Sequence, residues 1–313
     1  MSIEMPYQLV KQKRPLFFIS SFYHYNFNGI WRIMVIIENE KVALVTGGSA
    51  GIGRATALAL ARQGYLTYAA ARHPEIMADP LLPGLIPLRL DVTDKASLVA
   101  AVQQIEATHG AIDVLVNSAG YSEMGPIEEM SLERLRRQFE TNVFGLVCLC
   151  QLVLPGMRSK GWGRIVNVSS MGGEFTIPFS GVYHASKYAL EALSDALRFE
   201  VQPFGVDVVV IQPGVVQTPL GKSTQDSLQS APDSPYAARI VRFRQFLEAN
   251  SGPGESAVLQ PEDVADVILQ AVQSDHPQTR YKIGAEAEQL PALRRRLSDR
   301  EWDDMYRQIF GTG

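Results

Sequence analysis

The sequence predicts an α/β protein built on one doubly wound parallel sheet. From residue 41 to about residue 285, short β-branched apolar runs alternate with longer amphipathic stretches. This alternation is typical of β-α-β units, whose right-handed crossovers place helices on both faces of a sheet. A glycine-rich turn directly follows the first apolar run, and ligands of such sheets bind beyond the carboxyl ends of the strands.

The individual elements follow from these runs in order. Strands are predicted at 42–45, 65–71, 86–90, 112–116, 165–168, 206–211 and, as a short last one, 281–283. Helices are predicted at 52–63, 131–159, 182–201 and 262–273, with another that ends near His109. The first helix is expected to stop at Gly64, because glycine is the usual residue at the end of a helix.

The first 33 residues differ from the rest of the chain. They are rich in aromatic side chains and nearly free of acids. We expect a poorly ordered extension here, with Met34 as an alternative start. The basic patch Lys11–Arg14 and the apolar run after it are too short to span a bilayer, and a surface-lying membrane anchor is the alternative interpretation.

Residues 34–285 are predicted to form a single domain. Within it, residues 214–256 interrupt the alternation just after the sixth strand and are rich in Ser, Gln, Gly and Pro. A stretch of this length at this end of the sheet is typical of a lid over a substrate. Residues 286–313 read as a solvated helical tail, which could pack on the lid or on a partner.

Composition narrows the possible partners and setting. The net charge is −4 and no long Lys/Arg run occurs, which argues against nucleic-acid binding. Cys148 and Cys150 lie two apart in a helical pattern, so they are poorly placed to pair and offer no metal-binding spacing. We therefore expect no metal site and a reducing, cytoplasmic setting.

The glycine-rich turn predicts a nucleotide cofactor site. The first strand runs straight into Thr46, Gly47, Gly48, Ser49, Ala50, Gly51, Ile52 and Gly53, and a helix follows. Glycine permits a tight turn and a close approach of pyrophosphate to the backbone. The helix N-terminus adds free N–H groups and a partial positive charge.

The end of the second strand favours NADP(H) over NAD(H). Units that bind NAD place an acid there to bond the ribose 2′-hydroxyl, whereas this chain has Arg72 and its nearest acid is Glu75. An arginine pairs well with a ribose 2′-phosphate, and Arg54, next to the glycine turn, could add to the positive field. The alternative is a pair of solvated surface arginines.

Two further segments are placed to meet the cofactor. Asp91 and Val92 follow the third strand, where they could meet the adenine. Asn117, Ser118, Ala119 and Gly120 follow the fourth, where small residues let the chain pass close to the cofactor.

Tyr183 and Lys187 form a candidate acid/base pair. They lie four residues apart and therefore share one helix face, where a nearby ammonium favours the phenolate. Ser169 and Ser170 end the fifth strand, where a hydroxyl could hold a substrate oxygen. Asn142, in the middle of a long helix, is either a polar residue satisfied by a neighbour or a link through water to Lys187.

With these motifs together, the chain resembles the short-chain dehydrogenase/reductase family, of the single-domain type with a Rossmann fold. The matching motifs are TGGSAGIG (46–53), DV (91–92), NSAG (117–120), Asn142, Ser170, YHASK (183–187) and PG (213–214). Ser118 departs mildly from the usual NNAG. Among members, the chain is most similar to reductases of the hydroxysteroid and retinol dehydrogenase kind.

The resemblance implies a role for each matching residue. Tyr183 would be the acid/base, Lys187 would tune it and hold the nicotinamide ribose, and Ser170 would position the substrate carbonyl. Asn142 would support the proton relay. Cofactor contacts are implied for Thr46, Gly47, Ser49, Gly51, Ile52, Gly53, Arg72, Asp91, Val92, Asn117, Ala119, Gly120, Pro213, Gly214 and Thr218, the last at the carboxamide. A homodimer or homotetramer through the helices at 131–159 and 182–201 is also implied.

The substrate is less well defined by the sequence. Segments expected to face the pocket offer Met124, Met171, Phe175, Ile177, Phe179 and Leu220, which suit a bulky apolar carbonyl or alcohol. The same residues could be ordinary core. Two other functions compete with the reductase: a non-catalytic NADP(H)-binding sensor, which would not need the tyrosine, and a nucleotide-sugar epimerase, which would need a different glycine spacing and a larger C-terminal domain.

Overall fold

The computed structural model describes residues 19–27, 30–37, 41–76, 82–229, 231, 233–250 and 258–310. The chain divides into two compact units, Met1–Glu40 and Lys41–Gly313. The boundary therefore lies later than the expected residue 33. The basic patch Lys11–Arg14, on which the membrane-anchor alternative rests, lies outside the described residues.

The first unit contains a β-hairpin where the sequence suggested a poorly ordered extension. Strands β1 (Ile19–Phe27) and β2 (Ile30–Ile37) pair antiparallel, with Phe27 opposite Ile30. Both strands are rich in aromatic and β-branched residues, which favour extended backbone. Aromatic crowding without an obvious period of two hid this strand pattern from the sequence analysis.

The second unit is built on a sheet of seven parallel strands, as the sequence predicted. The strands are β3 (Val42–Thr46), β4 (Leu66–Ala71), β5 (Leu85–Arg89), β6 (Val114–Asn117), β7 (Gly163–Val168), β8 (Val206–Pro213) and β9 (Arg280–Ile283). Their order across the sheet is β5-β4-β3-β6-β7-β8-β9. Strand order reverses between β3 and β6, and this switch point is where doubly wound sheets bind ligands.

Helices cover both faces of this sheet. In chain order they are α1 (Gly51–Arg62), α2 (Lys95–His109), α3 (Leu132–Phe139), α4 (Gly145–Lys160), α5 (Gly181–Val201), α6 (Pro219–Ser227), α7 (Ala237–Asn250), α8 (Pro261–Gln273), α9 (Ala285–Arg296) and α10 (Asp299–Phe310). One apolar cluster joins α2, α4 and α5 to one face, and a second joins α1 and α8 to the other. Burial of these two layers supplies the main stabilisation of the fold.

Helices α3 and α4 are continuous through a π-helical turn at Glu140–Phe144. The combined helix Leu132–Lys160 is long and apolar enough to cross a membrane by length and composition alone. Its buried residues Leu149, Val153 and Met157 pack in the cluster on the sheet, which is the arrangement of a core helix.

The segment predicted to form a lid contains two helices, α6 and α7, that the sequence did not indicate. Ile240 and Phe243 of α7 form an apolar cluster with Met124 and Leu228, and Tyr306 of α10 packs against it. The C-terminal tail therefore packs on the lid, which is one of the two arrangements left open by the sequence.

Candidate active site

The glycine turn is held in a shape that no larger residue would adopt easily. Gly47 and Gly51 have φ angles of +70° and +53°, in the left-handed region that favours glycine. A Cβ atom on Gly53 would lie 2.4 Å from the Gly47 carbonyl oxygen, so α1 can pack this closely on the turn only with glycine there.

The N-terminus of α1 fits a phosphate group. Its N-cap residue, Ala50, offers no side-chain hydrogen bond, and the first turn of the helix contains no acid. The first N–H groups of α1, around Gly51 and Ile52, therefore have no side-chain acceptor at this cap, and the helix dipole adds a partial positive charge there. Ser49 lies beside them, partly buried.

Thr46 joins the glycine turn to the end of the next strand in the sheet. Its buried hydroxyl accepts hydrogen bonds from the N–H groups of Ser118 (3.1 Å) and Ala119 (3.0 Å). A Cβ on Gly47 would come within 3.1 Å of Ala119, so the two loops lie against each other. Gly120 next to them is exposed.

Asn117 has a structural position that the sequence did not indicate. Its buried side chain donates to Asn167 (2.9 Å) on the neighbouring strand β7, and Asn167 donates to Ser194 (2.9 Å) of α5. The amide of Asn117 therefore lies inside the sheet layer, and the predicted contact of this segment with the cofactor stays a prediction.

Arg72 is exposed at the end of β4, as predicted, and it has an arginine neighbour. Arg89, at the end of the adjacent strand β5, donates from Nε to the Arg72 carbonyl oxygen (3.3 Å) and is also exposed. Glu75 is hydrogen-bonded to His73 (3.2 Å). Sequence analysis missed Arg89, because only the parallel pairing of β4 with β5 brings it beside Arg72.

Asp91 and Val92 lie in the turn after β5. One Asp91 carboxylate oxygen accepts from the backbone N–H (2.9 Å) and the hydroxyl (2.8 Å) of Thr93, which fixes the turn. On the far side of the site, Gly214 follows the end of β8 at Pro213 and donates to Ile283 (2.9 Å). Thr218 begins α6, and a Cβ on Gly51 would lie 3.0 Å from its methyl group.

Ser170 and Tyr183 are brought together by the fold. The Ser170 hydroxyl accepts from the Gly172 N–H (3.1 Å) and is hydrogen-bonded to the Tyr183 phenol. The adjacent Ser169 hydroxyl is buried without a hydrogen-bonding partner among the described residues. Ser170, and not Ser169, is therefore the hydroxyl whose interaction lowers the pKa of the Tyr183 phenol.

Lys187 lies buried one helical turn from Tyr183. Its ammonium donates to the Val168 carbonyl oxygen (2.9 Å) and sits 5.8 Å from the centroid of the tyrosine ring. Burial lowers the pKa of Lys187 to about 8, and the nearby carboxylate of Glu191 opposes that shift. The two side chains therefore lie on the same face of α5.

The pKa of Tyr183 shifts in the opposite direction to the expected one. Burial raises the pKa of the phenol above its ordinary value, and the hydrogen bond with Ser170 only opposes that shift. The loss of hydration is the larger of these two effects. Tyr183 is consequently a neutral phenol at neutral pH, in the protonation state that donates a proton.

Asn142 lies in the π-helical turn, a type of irregularity that recurs at functional sites. Its side chain bonds both backbone groups of Tyr121 and the hydroxyl of Ser186 (3.1 Å), which in turn donates to the Tyr183 carbonyl (2.6 Å). The amide is thus a satisfied polar group. These contacts agree with the interpretation of Asn142 as a polar residue satisfied by its neighbours. The other interpretation, a link through water to Lys187, stays a prediction.

The candidate substrate residues separate into two groups. Met124 lies in the apolar cluster of the lid, and Phe179 packs against it. Met171 and Leu220 are partly buried and lie close in sequence to residues of that cluster. Phe175 is 2% exposed, with its ring edge-on to His184 and Trp302, so its assignment to the substrate wall is corrected to the core. The sequence alone does not determine whether an apolar side chain just after the candidate catalytic serine points into the core or towards the substrate.

Two cavities among the described residues lie apart from the candidate catalytic side chains. A cavity of about 410 Å³ lies on the lid, lined by Gln225, Asp226, Gln229 and Arg244. Another, of about 240 Å³, borders Trp162 and Arg164 at the opposite end of the sheet. Neither is lined by Ser170 or Tyr183, and the chemistry of the converging side chains is the better guide.

Comparison with known proteins identifies relatives of this chain. A family profile described as short chain dehydrogenase matches residues 41–229. Human 17-beta-hydroxysteroid dehydrogenase type 1 is 35% identical over 290 residues, which cover 87% of this chain and 87% of that protein. The 3-ketodihydrosphingosine reductase of Bacteroides thetaiotaomicron is 35% identical over 244 residues, covering 78% and 88%.

A solved structure shares the fold. The closed form of a serine dehydrogenase complexed with NADP+ is 26% identical, with a TM-score of 0.67 over 78% of this chain and 94% of that one. Together with the profile match and the assembled Ser170, Tyr183 and Lys187, these similarities show that the chain belongs to the short-chain dehydrogenase family, oxidoreductases that act on CH–OH groups.

Proposed function

We propose that this protein is an NADP(H)-dependent oxidoreductase that interconverts a carbonyl and a secondary alcohol on a lipophilic substrate. The observation that carries the proposal is the contact of the Ser170 hydroxyl with the neutral phenol of Tyr183, with Lys187 buried beside it. A sensor that only bound the cofactor would gain nothing from a proton donor hydrogen-bonded in this way.

The proposed chemistry gives each side chain one task. A nicotinamide cofactor held by the glycine turn would supply the hydride that carbonyl reduction requires. Ser170 holds the carbonyl oxygen, and Tyr183 transfers its phenolic proton to that oxygen as negative charge develops. The Lys187 ammonium then stabilises the phenolate that remains. The reverse sequence oxidises an alcohol.

A lipophilic substrate is supported by the lid. Its inner cluster is built from Met124, Leu228, Ile240 and Phe243, and Phe179 packs edge-on to Phe243 at 5.3 Å. The names of two relatives refer to a hydroxysteroid and a ketodihydrosphingosine. NADPH and NADH oxidation with steroid ketones, long-chain ketones and polar keto acids tests the proposal; turnover confined to the keto acids would overturn the lipophilic assignment.

The preference for NADP(H) rests on Arg72 and Arg89. Replacing Arg72 with serine is expected to lower kcat/KM for NADPH by about tenfold or more, because a charge-assisted bond to the 2′-phosphate is lost. The value for NADH should stay within twofold, since that cofactor has no such phosphate. Steady-state kinetics with both cofactors measure this.

Arg62→Ser is the matched control, because Arg62 is an exposed arginine at the other end of α1. It should change neither cofactor's kinetics. Equal losses for NADPH and NADH in Arg72→Ser would show that Arg72 does not read the phosphate.

The pH dependence of reduction should follow Lys187. Its pKa is about 8, so its ammonium loses a proton as the pH rises through that value and no longer stabilises the phenolate. We expect kcat for reduction to be level from pH 6 to pH 7.5 and to fall above about pH 8. A kcat that keeps rising up to pH 10 would contradict this assignment.

The oligomeric state is inferred from the family, and the cellular location from the cysteines. We infer a homodimer or homotetramer formed through α3–α4 and α5, on which Phe144 and Phe199 are exposed. A cytoplasmic location fits the two cysteines, both of which are free thiols.

A further inference from the structure

Three polar side chains of one helix form a stripe that faces a single short segment. Arg134, Gln138 and Asn142 are four residues apart, so they share a face of α3 and its π-helical continuation. All three contact residues 121–124, which follow the cofactor-side loop 117–120 and which we name the pocket-wall segment. The family resemblance points only to Asn142.

Gln138 and Asn142 of the stripe hold the backbone of the pocket-wall segment through hydrogen bonds. Asn142 accepts from the Tyr121 N–H (3.1 Å) and donates to the Tyr121 carbonyl (3.0 Å). Gln138 is fully buried, donates to the same carbonyl (2.8 Å) and accepts from the Glu123 N–H (2.7 Å). These bonds replace the backbone ladder that a strand would have provided here.

Arg134 extends the stripe to the lid. Its guanidinium donates to the Glu123 carboxylate (2.5 Å), to the Met124 carbonyl (3.3 Å) and to the carbonyl of Ser227 (2.9 Å), the last residue of α6. Glu123 is only 4% exposed and also faces Arg137 at 3.3 Å. One side chain therefore bonds both the pocket-wall segment and the lid.

The lid returns this contact. The Ser227 hydroxyl accepts from the Met124 N–H (3.0 Å) and lies 3.3 Å from the Ser122 carbonyl oxygen. Both backbone groups of Met124 are consequently bonded to the Arg134–Ser227 pair. Met124 itself lies in the apolar cluster beneath α7. The contacts of Arg134 and Ser227 therefore lie at the edge of the surface that would meet a lipophilic substrate.

We propose that Arg134 is a positioning residue that locks the lid onto the pocket-wall segment and thereby sets the affinity for substrate, independently of cofactor binding. The affinity part rests on the proposed function, in which substrate lies beneath the lid. Arginine suits this position because its planar fork reaches a carboxylate and two carbonyl groups in fixed directions, whereas lysine presents a single ammonium.

Hydrogen exchange of the free enzyme tests the lock without any substrate. In Arg134→Lys, which keeps the charge beside Glu123, we expect exchange of peptides covering 121–125 and 219–228 to become about tenfold faster. Exchange in the core strand β7 should not change. Arg136→Lys, an exposed arginine on the same helix, is the matched control and should leave both peptides as in the wild type.

Kinetics with a confirmed substrate complete the test. We expect Arg134→Lys to raise the substrate KM about tenfold, with kcat and the Kd of NADPH within twofold of the wild type. Unchanged exchange of the 219–228 peptide would overturn the lock. Equally faster exchange in β7 would also overturn it, because it would show that Arg134 contributes only to the overall stability of the protein. Faster lid exchange with an unchanged KM would overturn the affinity part. Because exchange needs no turnover, absence of reductase activity would count against the proposed function alone.

Discussion

Replacing Tyr183 with phenylalanine is expected to lower kcat for carbonyl reduction by about 10²- to 10⁴-fold, the usual contribution of a positioned acid or base. In the proposed function the phenol is the proton donor, and burial raises its pKa, so it is protonated at neutral pH. Phenylalanine keeps the ring and removes only the hydroxyl group that carries that proton. Steady-state NADPH oxidation with an accepted ketone gives the change in kcat.

The matched control for this variant is Tyr188→Phe. Tyr188 lies on the same helix, α5, but its side chain is 44% exposed and outside the constellation. It should retain wild-type kcat, and both variants should bind NADPH and melt as the wild type does. If Tyr183→Phe kept full activity, the acid/base assignment would fail and the sensor hypothesis would become the stronger one.

Replacing Trp302 with alanine is expected to lower the free energy of unfolding by about 3–5 kcal/mol, the usual cost of truncating a buried aromatic residue. Trp302 is 5% exposed, stacks edge-on against Phe175 and Tyr306, and donates from Nε1 to the Thr176 carbonyl (3.2 Å). Its loss would leave a cavity between α10 and the segment that joins Ser170 to Tyr183. Urea unfolding followed by circular dichroism measures the change.

Two variants calibrate that measurement. Trp302→Phe keeps most of the packing and loses the hydrogen bond, so it should cost about 1 kcal/mol. Val241→Ala truncates a side chain of α7 that is 54% exposed and lies outside the inferred oligomer face, so it should stay within about 0.5 kcal/mol of the wild type. A Trp302→Ala variant as stable as the wild type would mean that the C-terminal tail does not belong to the cooperative core.

The sheet and its helices were predictable because their signals are local. An apolar run such as Val42–Val45 is buried on both faces whatever lies beside it, and a glycine turn has the same backbone requirements in any protein. The four-residue spacing of Tyr183 and Lys187 likewise fixes their common face before any tertiary contact forms.

Side-chain direction after a strand was not predictable to the same degree. Phe175 and Phe179 lie four residues apart in one irregular segment, yet Phe175 packs on Trp302 of the tail and Phe179 on Phe243 of the lid. No periodicity applies in such a segment, so each direction depends on distant elements. Asn117 is similar, because its buried partner Asn167 lies 50 residues further along the chain.

The sequence by itself determined the parallel α/β architecture, the glycine turn for a nucleotide and the residues able to form a catalytic constellation. Each of these depends on periodicity or spacing within one element or between an element and its next turn. Only the tertiary structure decided that Arg89 lies beside Arg72, that Arg134 reaches the lid, and that burial raises rather than lowers the pKa of Tyr183. Those outcomes depend on strand order, on helix packing and on the removal of water, which are properties of the assembled fold and not of any local pattern.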